Sequence, residues 1–302
     1  MTSGFFCFKD LAAATMNTIW ATVVLYHPDK ETLDYVQKLQ QWISVVVVDN
    51  TPVEEASILP FDHVISNGAN AGIAKALNQG MQYALSKGAN WCLLLDQDSR
   101  LQHLELSSLV EQVTVLQQPD VAAIAPMYFD TNTQRFGNVI TLSNGKLTIE
   151  KIPSQDGVIF EPAYVISSGS CVNLLACADI GFHDESLFID FVDIEWGLRA
   201  RAQGYRLLMT TSVCMTHSIG DEPIRFLGRK VVNHSPVRHY YYFRNVFLLL
   251  RKSHIPWAWK SRELIKLPMR FLLYSLFTNR RWSHFYAMSR GTLHGLMGKS
   301  GQ

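Results

Sequence analysis

The chain has 302 residues, 48% hydrophobic and 18% charged, which allows one large core and excludes a disordered chain. Five scattered cysteines, Cys7, Cys92, Cys171, Cys177 and Cys214, form no CxxC pair, so a zinc module is excluded and reduced thiols in a cytosolic protein are expected. The net charge of +1 hides a segregation: residues 1–224 hold 12 Lys/Arg against 25 Asp/Glu, a net of −13, and residues 225–302 hold 15 against one, a net of +14. A tail this basic suits an anionic partner, lipid or nucleic acid, or packs on the acidic body.

The opening stretch "MTSGFFCFKDLAAATMN" lacks a basic start and a long apolar run, so residues 1–17 read as an extension rather than a secretory signal. "TIWATVVLYHPD" (18–29) reads as a buried strand, "YVQKLQQW" (35–42) as helical, and "ISVVVVDNTP" (43–52) as a second buried strand with Asp49 and Asn50 at its end. "HVISN" (63–67) is a short strand. "NAGIAKALNQGMQYALSKG" (70–88) is a helix with the stripe Ile73, Leu77, Met81, Ala84, and Gly88 suits its C-cap. "WCLLLDQD" is the fourth strand, 106–118 a helix, and "VAAIAPMYFD" (121–130) a further strand.

Beyond that point "FGNVITLSNGKLTI" (136–149) predicts a hairpin around Asn144-Gly145. "AYVISSGSCVNLL" (163–175) reads as a strand interrupted by Ser168-Gly169-Ser170. A short helix (193–205) closed by Gly204 precedes a strand (206–218) ending at His217. No apolar run approaches the roughly 18 residues needed to span a bilayer; the longest, "LPMRFLLYSLF", contains Pro268 and Arg270.

Short Val/Ile/Leu runs alternating with helices predict an α/β fold with a mostly parallel sheet. In such sheets ligands sit beyond the carboxyl ends of the strands. Asp49, Asn50, Asp96 and Asp98 all fall there. In "WCLLLDQDSRL" a buried strand runs straight into Asp96 and Asp98, one residue apart. Two carboxylates so placed suit Mg²⁺ or Mn²⁺, which take oxygen ligands and bridge phosphate oxygens. A solvated turn or a helix N-cap is the plain alternative for D-x-D alone.

"VVVVDN", "NAGIAKALNQG", "LLLDQDS", "GFHDESLFIDFVDIEWGLRARAQGY" and "THS" occur in one order over about residues 18–250. In that order they resemble glycosyltransferase family 2. "DQDS", "VDIEWGLRARAQGY" and "RHYYYFRN" look similar to its bacterial rhamnosyltransferase branch. The resemblance implies a GT-A fold over 18–235, with a basic, aromatic-rich helical region over 236–302. It implies a nucleotide-diphosphate-sugar donor, a divalent cation (Mg²⁺ or Mn²⁺), and inversion at the anomeric carbon.

Residue by residue, the expectations are these. Asp49 meets the nucleotide base or ribose. Asn70 and Gly72 sit at a helix N-terminus that suits an anionic ligand, with Lys75 and Asn78 on the same helix. Plain capping is the alternative for that loop, which is neither a dinucleotide-binding G-x-G-x-x-G nor a Walker A motif. Asp96 and Asp98 hold the cation, and Asp96 also faces the donor. The resemblance makes His217 a third metal ligand. Ser168, Gly169 and Ser170 match a loop lining the sugar and acceptor, where glycine permits close approach.

Inversion needs a base for the acceptor hydroxyl. Aligned back from Leu198-Arg199, the family's base falls on Asp193, preceded by Val192 where the commoner pattern has Glu. Asp190 is the rival, and an N-cap is the structural alternative for Asp193. Arg238 and Arg244 are candidates for diphosphate or lipid-diphosphate contact. Trp196 is either an acceptor platform or core.

The basic tail mixes aromatics with Arg and Lys, a composition that lies well on membrane surfaces. The expected partners are dTDP-L-rhamnose or a related nucleotide sugar, a polyprenyl-diphosphate-linked glycan, and the inner face of the cytoplasmic membrane. The setting is surface polysaccharide (O-antigen-like) synthesis. No nucleic-acid recognition motif accompanies the tail, and no Gly-rich basic signature of a sugar-1-phosphate nucleotidyltransferase is present. A non-catalytic glycan- or lipid-binding protein would not need Asp96, Asp98 and Asp193 together.

Overall fold

The computed structural model describes residues 19–132, 134–152, 157–217, 221–226 and 229–302. The leader read as an extension, with Cys7, lies outside the described residues.

Strands β1 (Ile19–Leu25), β2 (Ser44–Asp49), β3 (Val64–Ser66) and β4 (Trp91–Asp96) pair in parallel in the order β3-β2-β1-β4. The Val45–Val48 run of β2 is 0–2% exposed, as expected for strands covered on both faces. Each such side chain contributes roughly 1.5–3 kcal/mol on burial. Helix α1 (Lys30–Gln40) starts where Asp29 accepts a hydrogen bond from the Thr32 amide at 2.8 Å. Helix α2 (Ile73–Ser86) packs across β1 and β2 through Leu77, Met81 and Ala84, and Gly88 takes positive φ just beyond its end.

The sheet continues through β5 (Val121–Asp130) and β11 (Arg206–His217), which are parallel to each other. Helix α3 (His103–Leu116) covers them. Two short strands add antiparallel to these, β6 (Arg135–Phe136) on β5 and β9 (Ile159–Phe160) on β11. The predicted hairpin is β7 (Val139–Ser143) with β8 (Lys146–Glu150), turning at Asn144-Gly145, both with positive φ.

One element differs from expectation. Residues 163–175 are not a long interrupted strand. They are a loop, a three-residue strand β10 (Cys171–Asn173), and the start of helix α4 (Leu174–Ile180). Asn173 caps α4, its side-chain oxygen accepting from the Leu175 and Ala176 amides. The apolar run does not distinguish strand from buried helix, and the capping Asn decides it. β10 runs antiparallel between β4 and β5 and completes a nine-stranded sheet.

Helix α5 (Val192–Ala202) precedes β11, and a second hairpin, β12 (Asp221–Phe226) with β13 (Arg229–Asn233), follows it. Three helices complete the chain: α6 (Pro236–Leu250), α7 (Trp257–Phe277) and α8 (Arg281–Met297). Ser235 caps α6, and Pro236 stands at its first position. These helices share a core with the body. Phe243, Val246, Leu249, Trp259 and Leu267 pack with Ala74, Leu187, Phe191, Val192 and Leu198. The molecule is therefore an α/β GT-A-like sheet flanked by helices, with a helical C-terminal region docked against it. Among the described residues, no helix is long and apolar enough to cross a membrane.

Candidate active site

The parallel register puts Leu25 opposite Asp49 and Val24 opposite Asp96, so the two aspartates emerge at the same edge of the sheet. A cleft of about 770 Å³ opens there. It gathers Asp96 and Asp98 from the turn after β4, Ser168, and Asp190 and Asp193 before and in α5. Arg238 comes from α6, and Trp259, Glu263, Lys266, Arg270 and Tyr274 from α7.

The Asp96–Asp98 turn is braced on all sides. The Ser99 amide donates to the Asp96 carbonyl at 3.0 Å. The Ser99 and Ser168 hydroxyls share a short hydrogen bond, and the Asp96 amide faces the Ser168 oxygen. Arg100 stacks on Tyr35, 4.6 Å from its ring centroid, and donates to the Gln97 and Ser99 carbonyls. Gly169 has φ +83°, and a Cβ there would meet the Met215 sulfur at 2.7 Å. Only glycine fits that combination, and through it the Gly169 amide reaches the Leu94 carbonyl.

Asp193 is at the second position of α5, not at its cap; Phe191 is the capping residue and caps through no side chain. One Asp193 oxygen accepts from the Ile194 amide at 2.8 Å. Burial pushes the carboxyl up to about 6; the Ile194 amide opposes this, and the charges of Asp190 and Asp96 add to the rise. Tyr164 and Tyr128 sense the same charge. Burial first, then Asp193, raises both phenols, Tyr128 to about 12. A carboxylate of this affinity is ionised at neutral pH yet can take a proton from a hydroxyl.

Asp190, the rival, is paired: its Oδ1 accepts from Arg238 Nη2 at 2.7 Å. The loop that carries it holds Phe188, Asp190 and Phe191 at φ of 64°, 65° and 67°. Each such non-glycine residue costs on the order of 1–3 kcal/mol. Asn245 offsets this by donating to the carbonyls of Leu187, Ile189 and Asp190 at 2.7–3.0 Å.

Arg244 joins that clamp, which corrects its expected role. It is 1% exposed, donates to the carbonyls of Ser186, Leu187 and Gly301, and lies under Tyr241. Its donors serve the backbone and the Asn245 side chain rather than a diphosphate.

The NGANAG loop is corrected likewise. Asn70 accepts from the Gly72 amide, forming a local turn. The Ile73 and Ala74 amides, the first of α2, donate to the Phe188 carbonyl and not into the cleft. A Cβ on Gly72, at φ +84°, would meet that carbonyl at 2.8 Å. Asn78 is buried and spends its amide on His183 and Glu185. Lys75 stands exposed on α2, outside the cleft lining. Asp49 is buried and accepts from the Thr51 amide. Trp196 is core, 3% exposed, donating to the Gly181 carbonyl.

His217 ends β11 opposite Asp130, and its side chain lies outside the described residues. Its neighbour Thr216 bridges Arg100, so this strand end arrives beside the Asp96–Asp98 turn. Among the described residues no three His, Cys, Asp or Glu side chains cluster as a metal site. The two aspartates still fit a hard cation: oxygen donors on one turn, opening into a cleft wide enough for a phosphorylated ligand.

The α7 wall of the cleft was not read from sequence. Its signal was present: Glu263 is the one carboxylate after residue 222. It is 6% exposed and bonded to Lys266 and Tyr242, with Arg270 at 4.0 Å.

Comparisons with known proteins agree with this geometry. The signature of "Glycosyl transferase family 2" matches residues 31–163. A dTDP-rhamnosyl transferase, RfbF of Shigella flexneri, is 35% identical over 257 residues, covering 82% of this chain and 85% of that protein. Two solved structures share the fold at 12% identity, each with a TM-score of 0.54. GalNAc-T7 with UDP, GalNAc and Mn²⁺ covers 93% of this chain, which spans 56% of that one. Residues 1–349 of S. aureus TarS cover 92% of this chain and are spanned to 80%. On the family signature and the identity to RfbF, the chain belongs to glycosyltransferase family 2 and is a glycosyltransferase.

Proposed function

We propose that the chain is an inverting rhamnosyltransferase. It moves L-rhamnose from dTDP-L-rhamnose to a polyprenyl-diphosphate-linked saccharide in bacterial surface polysaccharide synthesis. It works in the cytoplasm at the inner face of the cytoplasmic membrane. The donor assignment rests on the 35% identity to a dTDP-rhamnosyl transferase. The observation that carries the chemistry is Asp193, a half-buried carboxylate held near pKa 6 in a cleft that also contains Asp96 and Asp98.

Asp193 accepts the proton of the acceptor hydroxyl as that oxygen attacks the anomeric carbon and the nucleoside diphosphate leaves from the opposite face. Asp96 and Asp98, with His217 as third ligand, would hold Mg²⁺ or Mn²⁺. When bound, that ion neutralises charge on the departing diphosphate. Ser168 keeps the Asp96 turn in place through Ser99. Arg238 pairs with Asp190 at 2.7 Å. Tyr164, Trp259 and Tyr274 give the acceptor side aromatic walls. The domain division at 235/236 fits α6 starting at Pro236, although the two parts share a core.

The test is transfer from dTDP-L-rhamnose, compared with UDP- and GDP-sugars, to a lipid-linked saccharide acceptor with Mg²⁺ or Mn²⁺. Transfer from dTDP-L-rhamnose, abolished in Asp193→Asn, supports the reading. Preference for another donor removes the rhamnose assignment.

A further inference from the structure

The α7 helix has two faces of opposite character. At about 100° per residue, Trp257, Leu264, Ile265, Pro268, Met269, Leu272 and Leu276 share one arc, and all are exposed. Ile265, Met269 and Leu272 are 62–68% open to solvent. Arg262, Lys266 and Arg270, four residues apart, form a row along one border of that arc. Lys266 and Arg270 of this row also line the cleft.

Helix α8 repeats the pattern. Trp282, Phe285, Tyr286, Leu293, Leu296 and Met297 are exposed on one arc, with Arg281 and Arg290 at its two borders. The two arcs meet. Phe271 of α7 touches Phe285 of α8, and a groove between the helices is lined by Leu267, Pro268, Phe271, Ser289 and Thr292. The result is one continuous apolar surface, larger than scattered exposed side chains explain.

The charge around this surface names its occupant. Residues 236–302 hold 12 Lys/Arg and a single carboxylate, Glu263, which is buried against the cleft. The rim therefore carries cations and no exposed side-chain carboxylate. Two copies meeting on this face would bring like charges together, whereas an anionic lipid surface offers apolar depth and negative headgroups at once.

We propose that the exposed face of α7 and α8 lies on an anionic lipid bilayer. Its cation row Arg262–Lys266–Arg270 marks the boundary between the lipid surface and the cleft. Both helices lie flat, in the interface. The mouth of the cleft then opens at headgroup level, so a lipid-anchored acceptor presents its saccharide to Asp193 without leaving the bilayer. This rests on the lipid-linked acceptor proposed above.

The test uses the full chain and vesicles of phosphatidylethanolamine with phosphatidylglycerol, against phosphatidylcholine alone, read by co-sedimentation. The variants are Leu272→Asp combined with Ile265→Asp, and separately Trp282→Asp; all three positions are exposed. Binding to the anionic vesicles is expected, weakened by salt and reduced about tenfold or more by either variant. Melting temperature and transfer to a water-soluble acceptor should stay unchanged. Vesicle binding without transfer from dTDP-L-rhamnose would sustain the docking face and remove the rhamnosyl-transfer reading proposed above. Absence of vesicle binding overturns the proposal. So does a dimer in solution that Leu272→Asp dissociates, because a second copy would then be the occupant.

Discussion

Arg238 Nη2 lies 2.7 Å from Asp190 Oδ1, joining the first turn of α6 to the strained loop ahead of α5. The pair separates two aspartates that are three residues apart. Asp190 has a cation; Asp193 has burial and the negative charges of Asp190 and Asp96. The two carboxyls thereby acquire different tasks.

Rate should follow the ionisation of Asp193. We expect kcat/KM to fall as pH drops below about 6, where Asp193 becomes protonated. Asp190→Asn removes a negative neighbour and should move this limb to lower pH; Arg238→Ala should move it higher. A pH–rate profile of the three proteins checks this, and a limb that stays fixed would detach Asp193 from the rate. The same shift has a stability consequence. The folded carboxyl binds its proton more tightly than an ordinary Asp with its pKa of 3.8, so Asp193 costs stability progressively as pH rises through 3.8 to about 6. Asp193→Asn should therefore be as stable as the parent at pH 7, or more so.

Metal binding should depend on the β4 turn. Asp98→Ala, an exposed position, should leave the melting temperature within about 1 °C, since surface changes stay near ±0.5 kcal/mol. Calorimetric binding of Mn²⁺ with donor should be lost in this variant, and chelation of the parent should stop transfer. Equal Mn²⁺-dependent donor binding in both proteins would exclude the Asp96–Asp98 turn as the site.

The Asn245 clamp should couple stability to turnover. Asn245→Ala removes its hydrogen bonds to the loop ahead of α5 and takes the side-chain donor from the Ile189 and Asp190 carbonyls, a loss of about 2–4 kcal/mol. Denaturant unfolding reads it. In the folded fraction kcat should fall while donor KM holds, because the clamp sets the loop bearing Asp190 and not the donor turn.

Glu195 anchors α5 to the C-terminal helices. It is 0% exposed and faces Arg199 at 3.0 Å, Lys252 at 3.2 Å and His254 at 2.8 Å. Burial alone would raise its pKa, but Arg199, Lys252 and His254 hold it below the ordinary Glu value of 4.5. Its contribution is then full above 4.5 and lost as pH falls through the depressed value. Glu195→Ala takes this buried carboxylate away from Arg199 and Lys252 and should destabilise the fold, visible as a lower denaturant midpoint.

The sequence by itself determined the elements and the ends at which chemistry sits. Four parallel strands, the α2 stripe, the hairpin at Asn144-Gly145 and the carboxylate turn after β4 are all encoded in local periodicity and turn residues. The resemblance to glycosyltransferase family 2 is what groups Asp96, Asp98 and Asp193 from sequence. Tertiary structure decided which polar side chains face the cleft and which serve the backbone. Arg244, Asn78 and the amides at the start of α2 read as ligand donors in the sequence, but each meets a backbone carbonyl brought in from elsewhere in the chain. A buried polar group must be satisfied wherever the fold places it, and only the fold supplies the partner. The same holds for the α7 wall and its apolar face. Composition announced a basic, aromatic tail, but the 3.6-residue turn and the packing of α7 against α6 and α8 sorted Lys266 toward the cleft and Leu272 toward solvent.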